Sequence, residues 1–174
     1  MTVSAHPLTE WSARLCVACY LVSLVWSLRQ RKRSTSVLWL WTLAATLLGL
    51  HVLLALHFEH GWSHAAALAH TANRTAAVTG FQTGVGLYVN YATLALWLTD
   101  VGLQWRSRGH DRLRSIVHAA THCVCGFIFF NATVVFGPRW WSWIAIAFGA
   151  VLACQWHRTS ALQCSPGIQQ RSRD

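Results

Sequence analysis

The sequence predicts an all-α fold, a polytopic bundle of transmembrane helices with about five spans. Of its 174 residues, 54% are hydrophobic and only 11% are charged, whereas a soluble domain carries roughly 25% charged residues. The hydrophobic residues occur in long blocks, and about 20 such residues are needed to cross ~30 Å of hydrocarbon as a helix. Several of the eleven tryptophans stand beside the ends of these blocks, as in an interfacial aromatic belt. We therefore expect a single membrane domain over residues 1–174.

Five blocks are long enough, or nearly so, to form spans. They cover about residues 11–28, 37–58, 83–105, 116–136 and 140–156. The first block is the weakest because Arg14 lies inside it and its guanidinium must reach the interface. Residues 157–174 are polar and contain a Pro-Gly pair, and we expect them to form a cytoplasmic tail.

One connection, residues 59–82 between the second and third spans, is much longer than the others. It contains an alanine-rich stretch over residues 65–77, which favours a helix. Ser63 precedes that stretch and is a typical N-cap residue. The connection is therefore predicted to hold a short interfacial helix.

The distribution of basic residues predicts the orientation. Three of the fourteen Lys and Arg residues (Arg14, Arg74 and Arg139) fall on one side of the predicted bundle, and the other eleven fall on the opposite side. Because cytoplasmic loops carry the excess of Lys and Arg, the N-terminus is predicted outside and the C-terminus inside. The compact loops favour a bacterial inner (cytoplasmic) membrane.

The net charge of +9 does not predict nucleic-acid binding, because the basic run over residues 29–33 joins two spans. Basic residues in such a loop attract anionic lipid headgroups. The predicted partners are the lipid bilayer and either another membrane protein or a second copy of the chain.

Histidines are dense around the outer end of the second span. His57, His60 and His64 stand at positions i, i+3 and i+7 and share one face if the helix continues past Phe58. Three imidazoles on one face could bind Zn, Cu or Fe. Gly61 could break the helix, and the alternative is a set of interfacial histidines bonded to water, headgroups and backbone.

A helical rise of 1.5 Å per residue gives each polar side chain an approximate depth. His51, Asn90 and Asn131 share an outer layer and form a candidate cofactor-binding group. A b-type haem there would need His51 or another outer histidine paired with a second outer histidine, because His51 and His122 differ in depth by roughly 12 Å.

An inner polar layer is predicted from Asp100, His118 and His122. The two histidines are four residues apart and so share a helix face. If Asp100 faces them, it would orient one ring or exchange a proton with it. The alternative is that Asp100 extends to the inner interface beside Arg106.

These patterns leave three functional hypotheses. The first is a binding or accessory membrane protein that holds a metal or haem at the outer histidines. The second is a small proton-coupled transporter that uses the inner Asp/His layer, and the third is a structural subunit of a membrane complex. No phosphate-binding glycine loop, nucleophile set or carboxylate pair occurs, so an enzyme is the less favoured class.

Overall fold

The computed structural model describes residues 6–29 (backbone alone at Leu28), 34–106, 112–132 and 149. Within these residues the chain forms five α-helices and no strand. They are α1 (Pro7–Arg29), α2 (Thr35–Phe58), α3 (His64–Thr79), α4 (Val85–Arg106) and α5 (Arg112–Phe130). Two compact units divide the chain, Met1–Asn131 and Ala132–Asp174, and all five helices belong to the first. The predicted span over residues 140–156 and the predicted tail lie outside the described residues, apart from residue 149.

Three of these helices are long and apolar enough to cross a membrane, namely α1 over Pro7–Ser27, α2 and α5. They indicate a membrane protein. Their outward surfaces carry large apolar side chains, including Trp39 on α2 and Phe127 on α5, which are 61% and 66% exposed. α4 is not among the three, because Asn90, Asp100 and Gln104 interrupt its apolar run. A bundle of five spans with a defined orientation therefore stays a prediction.

The charged pair on α1 explains how an apolar helix tolerates Arg14. The Arg14 guanidinium lies 2.8 Å from the Glu10 carboxylate one turn earlier, and it stacks over the Trp11 ring at 5.2 Å. Both charged side chains are roughly 40% exposed. The pair thus meets the predicted need of Arg14 to reach the surface near the start of the helix.

α3 begins at the predicted cap and contains the predicted alanine-rich stretch. Ser63 is the N-cap, and its hydroxyl accepts a hydrogen bond from the Ala66 N–H at 3.2 Å. Gly80 ends the helix with φ +78°, and its N–H donates to the Ala76 carbonyl. Glycine suits this left-handed C-terminal position because it has no Cβ. The predicted connecting helix is therefore present.

The core lies where α1, α2, α4 and α5 meet. α1 packs along α2, where Ala44 and Ala45 are fully buried, and small side chains let two helix backbones approach closely. α4 contacts α2, α3 and α5. The buried core residues are Cys16, Tyr20, Trp41, Ala44, Ala45, Trp97 and Cys125. This arrangement places the inner half of α4 against α2 and α5.

Close packing between α3 and α4 gives the first prediction. A Cβ at Gly84 would lie 2.5 Å from Leu68 Cδ1 and 3.0 Å from the Leu68 carbonyl oxygen. Gly84→Ala should therefore lower the free energy of unfolding by about 1–3 kcal/mol, measured by SDS titration in detergent micelles. Gly102→Ala on α4 is the matched control, because nothing lies within 4 Å of its Cβ. Equal stability of the two variants would contradict the described contact.

Candidate functional site

Asp100 is the one buried carboxylic acid among the described residues, with 0% exposure. Its Oδ2 accepts a hydrogen bond from Trp41 Nε1 of α2 at 2.8 Å and lies 2.8 Å from His118 Nδ1 of α5. Its Oδ1 accepts from Gln104 Nε2 at 3.1 Å. A buried carboxylate needs such partners, since an unpaired charge in a low-dielectric interior is very unfavourable. Three helices thus converge on one carboxyl group.

The two histidines of the predicted inner layer lie next to each other, and both contact the Trp41 ring. His118 and His122 share a face of α5, and their ring centroids are 4.6 Å apart. The Trp41 ring lies 5.3 Å from His118 and 4.6 Å from His122. The structure therefore brings together the predicted inner layer of Asp100, His118 and His122, which we call the Asp–His cluster.

Tyr20 connects α1 to this cluster. Its hydroxyl lies 3.4 Å from both the carbonyl oxygen and Nδ1 of His122. Its ring packs against Phe129 at 4.9 Å and meets Trp97 edge-on at 5.8 Å. Tight aromatic packing holds the hydroxyl in place beside the histidine.

This geometry can hold and pass a proton. Nδ1 of His118 and Oδ2 of Asp100 lie at hydrogen-bond distance, and a proton can pass along such a bond between an imidazole and a carboxyl group. The His118 side chain is 39% exposed, whereas the Asp100 side chain is fully buried. Of these two side chains, only that of His118 is accessible from outside the protein.

The alternative placement of Asp100 at the inner interface beside Arg106 is wrong. The carboxylate points across the bundle, because Trp41 and His118 donors are available there at hydrogen-bond distance. The hydrogen bonds from those donors offset the unfavourable free energy of removing the carboxylate from water.

The structure does not bring the three outer histidines onto one face. α2 ends at Phe58, and Gly61 and Trp62 both take the left-handed conformation, with φ of +53° and +62°. This turn separates His57 on α2 from His64 on α3. The condition for a shared face, a helix that continues past Phe58, is not met.

Each outer histidine has its own partner instead. His57 accepts a hydrogen bond from Trp62 Nε1 at 3.0 Å, and the His60 ring lies 5.3 Å from that of His70. His64 lies 3.5 Å from the hydroxyls of Tyr88 and Tyr91. Among the described residues, no group of three or more His, Cys, Asp or Glu could hold a metal ion.

The His60 and His70 pair affects protonation in the connection between α2 and α3. Partial burial and the nearby positive charge of His70 lower the pKa of His60, and Glu59 opposes that shift. His60 therefore takes up a proton only at a more acidic pH than a free histidine does.

The predicted outer layer is also dispersed. His51 Nδ1 lies 3.0 Å from the Thr9 carbonyl oxygen, and Asn131 donates to the Phe127 carbonyl of its own helix at 2.8 Å. Asn90 is exposed on α4. No hydrogen bond joins these three side chains in the part of the chain that the structure describes.

Three members of the site were not predicted from the sequence: Trp41, Gln104 and Tyr20. Gln104 stands four residues after Asp100, which places it on the same face of α4. Trp41 lies inside its span rather than beside an end, unlike a belt tryptophan. Tyr20 is a polar residue within an apolar run. These positions are the features of the sequence from which the three residues could have been identified.

No family model, curated protein or solved structure matches the chain.

Proposed function

We propose that this protein translocates protons across a membrane through the cluster of Asp100, His118 and His122, as a small proton-coupled transporter does. The observation that carries the proposal is a fully buried carboxylate 2.8 Å from a half-exposed imidazole. Ionisable residues inside membrane helices usually mark proton or ion pathways. An Asp–His pair suits a proton because histidine changes its charge near neutral pH.

We further propose the membrane arrangement on which this function depends. Five spans are supported by the five apolar blocks. The N-terminus outside and the C-terminus inside are supported by the asymmetry of Lys and Arg, and a bacterial inner membrane is supported by the compact loops. α4 would be a fourth described span, supported by its packing between α2 and α5. Its buried polar face would then line the bundle interior and its apolar face would contact lipid.

The other hypotheses have less support. A metal or haem at His57, His60 and His64 would require these side chains to converge, and each has a separate partner. A structural role, with a membrane-protein partner or a second copy, would leave the buried Asp–His pair without a purpose beyond packing.

The second prediction tests the proposal by proton flux into proteoliposomes, with a pH-sensitive dye in the lumen and a K⁺ diffusion potential as the driving force. We expect the wild-type protein to exceed empty vesicles. Asp100→Asn should slow flux at least about tenfold, which corresponds to ~1.4 kcal/mol of activation free energy, because the amide cannot take up the proton.

Glu59→Gln is the matched control, since it makes the same chemical change at an exposed carboxylate in the connection after α2. It should leave the flux unchanged. Wild-type flux equal to that of empty vesicles, or flux that persists in Asp100→Asn, would overturn the proposal.

A further inference from the structure

One face of α1 is polar along most of its length and points into the protein. Its buried residues are Thr9, Ser12, Cys16, Tyr20 and Ser23. They recur every three or four residues, which is one face of a helix. Large apolar side chains of α1, including Trp11 and Val22, are more than half exposed. α1 thus presents its polar face inward and its apolar face outward, as expected for a membrane helix that lines an internal pathway.

Both ends of this face contact a histidine. Toward the N-terminus, Nδ1 of His51 lies 3.3 Å from the Ser12 hydroxyl and 3.0 Å from the Thr9 carbonyl. Toward the other end, the Tyr20 hydroxyl lies 3.4 Å from Nδ1 of His122. Cys16 lies between them, and its thiol donates to the Ala44 carbonyl at 3.3 Å. The face therefore has a histidine at each end, His51 on one side and His122 of the Asp–His cluster on the other.

Two buried polar atoms along the same region lack a hydrogen-bond partner within the described residues: Thr9 Oγ1 and Trp97 Nε1. Thr9 is 5% exposed and Trp97 is fully buried, and the Trp97 ring packs against that of Tyr20. Buried polar groups without protein partners typically bind internal water. Water held by these two groups would extend the hydrogen-bonded chain on either side of Cys16.

We propose that protons travel between His51 and the Asp–His cluster along the buried polar face of α1, and that the Tyr20 hydroxyl relays them to His122. This inference rests on the proposed function. In each transfer the Tyr20 O–H gives its proton to Nδ1 of neutral His122. The phenolic oxygen regains a proton from water on its other side, and that water is reprotonated along the path from His51. Tyr20 and the water return to their starting states, and the positive charge passes from His51 to His122.

The third prediction is that Tyr20→Phe slows proton flux in proteoliposomes at least tenfold. Phenylalanine removes the hydroxyl and keeps the ring that packs against Trp41, Trp97 and Phe129. Tyr88→Phe is the matched control, because Tyr88 is exposed and contacts His64 instead. Its flux should equal that of the wild-type protein. The ratio of the rates in H₂O and D₂O should also change in Tyr20→Phe alone.

Cys16 provides a second test that does not depend on Tyr20. Cys16→Ser keeps a hydrogen-bonding group in the path and should retain flux, whereas Cys16→Val fills the site with apolar atoms and should reduce it. A purely structural role predicts the opposite order, because valine suits an apolar core better than a hydroxyl does.

Retained flux in both Tyr20→Phe and Cys16→Val, together with its loss in Asp100→Asn, would overturn the α1 route and leave the proposed function intact. Retained flux in Asp100→Asn would overturn the proposed function itself.

Discussion

Trp97→Ala is expected to lower the free energy of unfolding by about 3–5 kcal/mol, the range for removal of a buried aromatic side chain. Trp97 is fully buried, and its ring contacts those of Trp41 at 4.8 Å and Phe129 at 6.2 Å. Its truncation would leave a cavity where α1, α2, α4 and α5 meet. The midpoint of SDS-induced unfolding in detergent micelles measures this loss.

Two variants separate the packing contribution of Trp97 from other effects. Trp39→Ala is the control, because Trp39 is 61% exposed and its one described ring contact, with Trp105, is worth only about 0.5–1.5 kcal/mol. Trp97→Phe should lose much less stability than Trp97→Ala, since it retains a ring and removes an N–H that has no described partner. If Trp97→Ala were no less stable than Trp39→Ala, the described core would be contradicted.

The helices could be predicted from the sequence because long apolar runs and capping residues act locally. Ser63 and Gly80 bound α3 through their own backbone geometry, and the apolar run before Phe58 contains nothing that would stop α2 earlier. The contacts of the histidines could not be predicted in the same way. Five of them lie close together in sequence near Phe58, but a left-handed turn at Gly61 and Trp62 directs them to different neighbours.

The depth of a side chain along its helix predicted contacts better than the density of histidines in the sequence did. It did so only where the two side chains also point toward each other. Asp100 and His118 were predicted at a common depth, and they also point toward each other from α4 and α5. His51 and Asn131 were placed at a common depth too, but His51 turns toward α1 and Asn131 bonds to its own helix. Depth follows from residue count, whereas direction depends on which helices pack together, and that packing cannot be read from local sequence patterns.

The final prediction concerns what the Asp100 carboxylate contributes to stability. Asp100→Leu should lower the free energy of unfolding by about 3–5 kcal/mol, because it removes the acceptor of the buried Trp41 N–H and the hydrogen bonds that Asp100 makes with His118 and Gln104. Glu10→Leu removes the carboxylate of the exposed pair with Arg14 on α1, and such pairs contribute only about 0–1 kcal/mol. SDS-induced unfolding of both variants compares a buried and an exposed pair within one protein.

A double-mutant cycle then tests whether Asp100 and His118 act as a unit. Since each single substitution already removes the hydrogen bond between the two side chains, Asp100→Leu combined with His118→Leu should lose less stability than the sum of the two single losses, by about 0.5–3 kcal/mol. Additive losses would mean that the 2.8 Å contact between them carries no energetic coupling. Non-additive losses in stability, together with loss of flux in Asp100→Asn, would mean that the hydrogen bond between Asp100 and His118 serves both proton binding and the packing of α4 against α5.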